Sequence, residues 1–487
     1  MLLVHPVIEL LRAAPALLGI LYLSRNGGAG QIWSLVGLVG VVVYGVVRWL
    51  TTTYRVGPEQ IQVRRGLVRR SVLSVPRDRV RTVDLTSHAM HRLLGLTRIS
   101  IGTGTSDRKG DNGLRLDALT VAEATRLREE LLHRSTAPLP STATATGAPP
   151  VAAAAGTVVA RFRPAWLGYG PFSLSGLLPV VVVVGATMQF VSEAKLAPER
   201  LGVFKTVGDQ LTRAPLGVAV AEVLAVCLVI VGLASTLGYL FRFWNFTLTR
   251  GNGVVHQSRG LVTTRAITIE ERRLRGVEIS EALVLRLVSG ARCVAITTGL
   301  RVGHGAERGG SLLLPPAPRS EAERVAGAIL DDPSIVHAPL VEHGPVAQRR
   351  RYTRAVVPAL LLTGGLWLLH RYASWPDWSW QLSIPLVFLA LILAKDRYRN
   401  LGHAMVGARL VIRRGALVRR RSMLSCDGII GWSVYQSFFQ RANNLVTLTA
   451  TTAAGKQRYA VQDIGYHEAL SLMDRAVPDL LTPFLAD

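Results

Sequence analysis

Clustered arginines are the residues of this 487-residue chain whose type and spacing suggest a chemistry. The clusters lie in two β-patterned segments, and their members are Arg64, Arg65, Arg69, Arg70, Arg77, Arg79 and Arg81 in one, and Arg413, Arg414, Arg419 and Arg420 in the other. A basic side chain beside an anionic membrane leaflet gains about 1 kcal/mol. The clusters predict binding to anionic phospholipid headgroups or to a protein partner. The alternative is a solvated basic face that only helps to orient the chain in a membrane.

Nucleic acid is disfavoured as the partner of these arginines. Single-stranded nucleic acid binding combines basic side chains with aromatic rings on which bases stack. The basic segments of this chain lack regularly interleaved aromatic residues.

Catalytic motifs are missing from the sequence. There is no Walker loop, no His-Glu-x-x-His, no Cys-x-x-Cys and no Gly-x-Ser-x-Gly. Gly102-Thr103-Gly104 lacks a third glycine and a following helical segment, so it does not predict a nucleotide site. His88 and His91 are close in sequence, but no cysteine or carboxylate set nearby completes a metal site. We therefore predict that the chain is not an enzyme and uses no cofactor or metal.

The composition points to a membrane protein with charged domains. Residues of apolar type make up 49% of the chain, yet its formal net charge is +24. The apolar runs carry almost none of this charge, and the segments between them carry nearly all of it. The three cysteines do not imply a disulfide framework, so reducing surroundings are compatible.

Six stretches approach the roughly 17 to 25 mostly apolar residues that cross a bilayer. They are residues 6–23, 31–50, 166–190, 215–241, 355–370 and 380–394. Consecutive stretches form pairs, which predicts three transmembrane hairpins. Glu222 is the deepest carboxylate in the fourth stretch and is a candidate for an intramembrane role.

Flanking charges predict the orientation of the hairpins. Arg48 and Arg55 flank the first hairpin, Arg242 and Arg250 follow the second, and Lys395 ends the third, whereas the opposite loops carry less net charge. Because cytoplasmic flanks are enriched in lysine and arginine, the three β-patterned segments that follow the hairpins are predicted to face the cytoplasm of a bacterial cytoplasmic membrane.

A basic, β-patterned segment followed by a short helix occurs three times, once after each hairpin. Residues 66–83 align with residues 260–277 without a gap, so that Leu73 corresponds to Ile267 and Val83 to Val277. The third copy, around Gly415, aligns with one inserted residue after its glycine. Self-similarity of this length predicts one supersecondary unit used repeatedly. Alternating strands that lead into an amphipathic helix predict an antiparallel sheet ending in one capping helix.

The repeated unit resembles the bacterial PH-like domain family, in the multi-copy membrane arrangement of YdbT-like proteins. The resemblance rests on the Arg-Arg-Gly-Leu stretch at 64–67, on Leu73-Ser74-Val75-Pro76, and on the Arg-Leu-Leu-Gly-Leu segment at 92–96. It extends over nearly the whole chain, although the second and third copies depart from the last motif. The resemblance implies a PH-like β-barrel or sheet with a C-terminal capping helix and no assigned catalysis. Because PH-like barrels bind lipids in some relatives and proteins in others, it does not identify a ligand.

The predicted architecture is six transmembrane helices in three hairpins, each followed by a PH-like module. The predicted boundaries are hairpin 1–51, module 52–134, disordered linker 135–160, hairpin 161–242, module 243–332, linker 333–352, hairpin 353–397 and module 398–487. The function predicted first is a non-enzymatic membrane scaffold whose cytoplasmic modules bind the membrane surface or protein partners, in envelope maintenance or defence. The alternative is a transporter or lipid-handling protein that uses the hairpins as a substrate path.

Overall fold

The computed structural model describes most of the second half of the chain and parts of the first. The described residues are 53–57, 59–65, 71–76, 82–87, 95–102, 114–132, 156–173, 185, 215–298 and 311–478. The predicted spans 6–23 and 31–50 lie outside them, as do most of the span 166–190 and of the linker 135–160.

The first repeat consists of two three-stranded antiparallel halves and a helix. Its elements are β1 (Thr53–Val56), β2 (Gln60–Arg65), β3 (Ser71–Pro76), β4 (Thr82–Ser87), β5 (Leu96–Gly102), β6 (Leu114–Thr120) and α1 (Val121–Leu132). Ile61 and Val75 from the first half are buried together with Val83 and Ile101 from the second half and Ala124 of the helix. The two halves and the helix therefore share one core.

The second repeat is preceded by one strand and one long helix. Its elements are β7 (Thr157–Arg161), α2 (Leu216–Phe243), β8 (Thr247–Gly251), β9 (Val254–Arg259), β10 (Thr264–Glu270), β11 (Leu274–Ala282), α3 (Leu283–Leu287), β12 (Gly290–Thr297), β13 (Leu312–Pro318), α4 (Arg319–Leu330) and α5 (Ser334–His337). A 3₁₀ turn, Glu271–Arg273, separates its third strand, β10, from its fourth strand, β11.

The third repeat follows a pair of long helices. Its elements are α6 (Gly344–Ala373), α7 (Trp378–Gln381), α8 (Ile384–Arg399), β14 (Gly402–Val406), β15 (Arg409–Arg414), β16 (Val418–Ser425), β17 (Ile429–Tyr435), α9 (Phe438–Arg441), β18 (Leu445–Thr452), β19 (Arg458–Gly465) and α10 (Tyr466–Ala476). A 3₁₀ turn, Cys426–Gly428, again separates the third strand from the fourth. Leu424 of β16, Val446 of β18, Val461 of β19 and Leu472 of α10 belong to one buried core.

The predicted capping helices are confirmed. The last strand of each repeat leads directly into α1, α4 or α10. On α10, Ala469, Leu472, Met473 and Ala476 are buried, which is the spacing of one helix face. This face closes one side of the core of its repeat.

The chain forms two compact units. One contains residues 1–156, 254–269 and 299–301, and the other contains the remaining residues. In the first unit β1, β2 and β3 form one sheet, and the strand order of the other sheet includes β6-β5-β4-β10-β9. In the second unit β7 pairs with β8, six strands form the sheet β13-β12-β11-β16-β15-β14, and β17, β18 and β19 form a third sheet.

The predicted barrel does not close among the described strands. Strand β10 pairs with β4 of the preceding repeat, and β11 pairs with β16 of the following repeat. The third and fourth strands of a repeat therefore complete different sheets, so the structure has PH-like sheets with open edges. Full closure would require these strands to pair within their own repeat.

The described residues contain three helices that are long and apolar enough to cross a membrane, where six were predicted. They are Gly217–Phe243, Gly344–Ala373 and Trp378–Arg399. The first overlaps the predicted span 215–241 from residue 217 onward, and the other two include the predicted spans 355–370 and 380–394. The start of the predicted span 166–190 is not α-helical. Pro164–Tyr169 and Pro171–Ser173 are 3₁₀ helices, because proline lacks the amide hydrogen that a continuous α-helix needs.

The insertion predicted in the third repeat is absent from the strand register. Gln60 pairs with Pro76 on the hairpin β2–β3, and Arg409 pairs with Ser425 on the hairpin β15–β16, at the same sequence separation. Gly415 has a φ of +108°, and a side chain there would collide with the carbonyl group of Val418. Gly260 has a φ of +114°, and a side chain there would collide with the carbonyl group of Thr263, which is also three residues later. The hairpins β2–β3 and β15–β16 thus have the same length, without an inserted residue.

Candidate functional site

The first predicted arginine cluster is described only in part. Arg64 and Arg65 lie at the end of β2, and the side chain of Arg64 is exposed. The other members, Arg69, Arg70, Arg77, Arg79 and Arg81, lie outside the described residues.

The second predicted cluster lies on two paired strands. Arg413 on β15 is opposite Arg421 on β16, and Arg414 is opposite Arg420. Like charges directly opposite each other destabilise a sheet unless other groups compensate them. The compensating groups belong to β11 of the second repeat.

Strand β11 brings two carboxylates to the edge of β16. Its residue Glu281 is opposite Arg419 and forms an ion pair with it. Its residue Glu278 is opposite Ser422, whose hydroxyl donates to a Glu278 oxygen at 3.1 Å. We call this contact between β11 and β16 the second junction.

Glu278 is the most extensively paired group at the second junction. Lys456 Nζ lies 2.6 Å from Glu278 Oε1 and 2.8 Å from Oε2, and Arg420 Nε lies 3.7 Å from Oε1. The residue Glu278 is only 5% exposed. A buried carboxylate of this kind is stable only when it is paired and hydrogen-bonded.

Burial shifts the pKa values of the basic groups around this carboxylate. Burial lowers the pKa of Arg414 and of Lys456, and in both cases Glu278 opposes that shift. Burial, together with Arg413, lowers the pKa of Arg421 to about 10, and the Arg421 guanidinium donates to the carbonyl oxygen of Ala338 at 2.8 Å. All of these groups remain cationic near pH 7, so the junction stores positive charge around a few carboxylates.

A matching contact, the first junction, joins β4 of the first repeat to β10 of the second. Asp84 forms an ion pair with Arg265 from the opposite strand, with Nε at 2.9 Å from Oδ2. Burial raises the pKa of the Asp84 carboxyl, and Arg265 opposes that shift. The pair is diagonal, because Asp84 lies opposite Ile267 and Arg265 lies opposite Thr86.

The two junctions have one register. Val83 is opposite Thr268 at the first, and Val277 is opposite Met423 at the second. Val83 and Val277 are equivalent in the repeat alignment. Thr268 and Met423 each stand three residues before the 3₁₀ turn that follows their strand.

The ion pairs at the junctions are equivalent as well. By the same alignment, Asp84 corresponds to Glu278, and Arg265 corresponds to Arg420. An acid on the fourth strand and an arginine on the next repeat's third strand therefore recur at both junctions. The repeats are joined by a specific, repeated interface.

Further ion pairs attach α6 and α8, the pair of long helices before the third repeat, to the second and third repeats. Arg351 of α6 lies 2.6 Å from the buried carboxylate of Asp463, which Arg350 also contacts. Arg286 of α3 pairs with Asp396 of α8 at 2.7 Å. These contacts fix the membrane-proximal ends of the helices to the sheets.

The described residues were compared with the side-chain groups that hold metal ions in proteins. No group of three His, Cys, Asp or Glu side chains in this part of the chain is placed to hold a metal ion. Burial raises the pKa of the Cys293 thiol, which keeps it protonated and unreactive. The chemistry of the junctions is charge pairing between repeats.

Sequence reasoning identified the third-repeat arginines but not their partners. Asp84, Glu278 and Glu281 were not singled out, nor was Lys456, because single carboxylates in strands carry no spacing signal. The available signal was the repeat alignment, which places Asp84 and Glu278 at one position.

Comparisons with known proteins agree with this architecture. The bacterial PH domain family matches residues 10–135, 202–332 and 355–479. The chain is 19% identical over 486 residues to the UPF0699 transmembrane protein YdbT of Bacillus subtilis, covering 96% of this chain and 94% of that protein. No solved structure matches the chain. Three matched segments that together span most of its length show that the chain belongs to the bacterial PH domain family.

Proposed function

We propose that this transmembrane protein is a non-enzymatic scaffold, with its PH modules on the cytoplasmic side of the membrane. The observation that supports this most strongly is the pair of identical junctions. Independent binding domains have no need for strand pairing across their boundaries, whereas a scaffold gains a fixed spacing between modules from it.

The ligand surface that we propose is the first arginine cluster. In the third repeat, Arg419 and Arg420 are directed at Glu281 and Glu278, so their charge is already neutralised. Arg64, the described end of the first cluster, is exposed, and residues 65–70, which follow it in sequence, include three more arginines. A basic hairpin near the membrane fits an anionic leaflet, to which it would bind in a salt-sensitive manner.

The test uses the full-length protein in nanodiscs of neutral or anionic phospholipid, with backbone hydrogen exchange as the readout. Anionic lipid should slow the exchange of amides in residues 60–76 severalfold, and high salt should remove the effect. The double variant Arg64→Glu/Arg65→Glu should lose this protection. The matched control is Arg441→Glu/Arg458→Glu, which makes the same charge change at exposed positions of the third repeat. Absence of any lipid-dependent protection in the native protein would exclude leaflet binding by this cluster and leave protein partners as the ligands.

A further inference from the structure

Among the described strands, two edges lack the kind of partner that strands have at the two junctions. At each junction the third strand of one repeat pairs with the fourth strand of the repeat before it, a pattern that we call the junction rule. Within the described residues, β3 pairs only with β2, and β17 pairs only with β18. These are the third strand of the first repeat and the fourth strand of the last.

Both edges expose apolar side chains. On β3, Val72 is 58% exposed and Leu73 is 39% exposed; on β17, Val434 is 48% exposed and Tyr435 is 64% exposed. By contrast, residues 276–281 on β11, the junction strand equivalent to β17, are all buried. Natural proteins usually protect open edges with charges, prolines or bulges that prevent pairing. Neither edge carries a charged residue between its described ends, as the sequences SVLSVP and IIGWSVY show.

We propose that β17 of one copy of this protein pairs with β3 of a second copy and forms a third junction of the same kind. The repeat equivalences fix its register. Trp432 and Val277 each stand six residues after the start of the preceding 3₁₀ turn, and Ser74 corresponds to Thr268. Because Val277 and Thr268 occupy opposed junction positions, Trp432 lies opposite Ser74 of the second copy. In antiparallel register, Val434 then lies opposite Val72.

A glycine on β17 supports this pairing. At the second junction, a side chain at Gly276 would collide with the carbonyl oxygen of Met423, so β11 needs glycine where β16 approaches. The equivalent residue on β17 is Gly431, and a side chain there would meet nothing within 4 Å in the described chain. The space that β16 fills beside Gly276 is open beside Gly431, and β3 of a second copy fits it.

The proposed junction differs from the two existing ones in charge. The positions of the repeated acid and arginine are held by Ser433 and Ser71. The proposed junction therefore has apolar contacts and main-chain hydrogen bonds without the ion pair. Because cross-strand ion pairs stabilise a sheet, the proposed junction should be weaker than the other two and reversible.

This contact uses different surfaces on the two copies. Head-to-tail interfaces of this kind produce rings when they close and filaments when they do not. The scaffold proposed above would then extend beyond one chain, although the pairing itself depends only on the strand registers.

The test is disulfide crosslinking between two variants of the full-length chain, each with one exposed engineered cysteine beside the buried Cys293 and Cys426. Val72→Cys and Val434→Cys are made separately in a Cys227→Ala background, tagged differently, co-expressed, and oxidised mildly in isolated membranes. We expect a disulfide-linked pair that carries both tags, and at least tenfold less linkage when either variant is expressed alone. The matched control is Leu73→Cys with Val434→Cys, because adjacent strand residues point to opposite faces.

Several outcomes would overturn the proposal. The first is the absence of a disulfide-linked product that carries both tags. The second is linkage in the Leu73→Cys control that equals the linkage of Val72→Cys. The third is linkage only within a single chain that carries both cysteines. Normal membrane levels and an unchanged melting temperature of each variant in detergent show that it is folded.

A second experiment uses a variant that is designed to strengthen the contact between the two copies. Ser433→Glu with Ser71→Arg introduces the charge pair of the other junctions and should raise the association constant in proteoliposomes about two- to fivefold. Neither single change should do so, and equal effects of single and double variants would contradict the register. Val434→Lys should abolish association but leave unchanged the lipid-dependent exchange of residues 60–65, which precede β3. The association measurement and the lipid-dependent exchange measurement therefore test the head-to-tail pairing and the lipid binding separately.

Discussion

Replacing Glu278 with glutamine should open the second junction. The substitution preserves the shape of the side chain but removes the charge that Lys456 and Arg420 face. Glu278 is only 5% exposed, so water does not readily replace the lost interactions. Removing one partner of a buried ion pair costs about 3–5 kcal/mol, because the other partner keeps its charge. For this site we expect about 3–4 kcal/mol, since Lys456 is 28% exposed and can partly regain water.

Hydrogen exchange measures this loss at the strands concerned. A local loss of about 3–4 kcal/mol corresponds to roughly 150- to 900-fold faster exchange of the amides of β11 and β16. The chain in detergent micelles, with exchange followed by mass spectrometry, resolves these segments. Exchange in β4 and β10 should stay unchanged, because they form a separate sheet contact.

Glu323→Gln serves as the matched control. Glu323 also pairs with an arginine, Arg319, at 2.7 Å, but that pair lies on one helix and the arginine is 47% exposed. Pairs of this kind contribute about 0.3–0.5 kcal/mol, so exchange in β11 and β16 should change less than threefold. If Glu278→Gln behaves like Glu323→Gln, the buried pair does not hold the repeats together and the reasoning is wrong.

Three further outcomes are expected. Asp84→Asn should accelerate exchange in β4 and β10 by at least tenfold because it removes the carboxylate charge that Arg265 faces across the first junction; an unchanged rate would show that this ion pair does not stabilise the first junction. Acid should destabilise the third repeat, because burial lowers the pKa values of His343 and His403 to about 4. The unfolded chain then binds more protons between about pH 6.5 and 4, so stability is complete above that window and falls by roughly 2 kcal/mol per histidine from pH 7 to pH 5. A melting temperature in detergent that is equal at both pH values would contradict this. Glu222→Gln should leave function and membrane level intact in a scaffold, and loss of function at normal membrane level would favour a transporter instead.

The sequence predicted the repeat, its strands and its capping helices because these depend on local periodicity. The alternation at 60–64 corresponds to β2, and the apolar spacing at 466–473 corresponds to α10. The insertion expected after Gly415 was wrong, because Arg419-Arg420 lie one residue further along their hairpin than Arg69-Arg70 although the two hairpins have equal length. Pairing between repeats could not be predicted, since a fourth strand such as β11 carries the same alternation whichever strand lies beside it.

At the candidate site, too, contacts between repeats could not be predicted from the sequence. The arginines of β15 and β16 were predicted from their number and position, which suggested a surface for anionic ligands. Their actual neighbours, Glu278 and Glu281, are more than 100 residues away in sequence and reach them only through the strand pairing. Contacts between distant segments depend on the tertiary fold, and a single sequence does not contain them.

The junction rule also separates the roles of the two arginine clusters. Where a repeat receives the fourth strand of its predecessor, the carboxylates of that strand neutralise the arginines, as Glu278 and Glu281 do for Arg420 and Arg419. Strand β17 carries no carboxylate, so a second copy docked on β3 would not neutralise the first cluster. Head-to-tail association and binding to an anionic leaflet can therefore occur in the same molecule. The first cluster should therefore bind lipid equally well in the associated and dissociated states, and a Val434→Lys variant that is monomeric should retain the full salt-sensitive protection of residues 60–65, which precede β3.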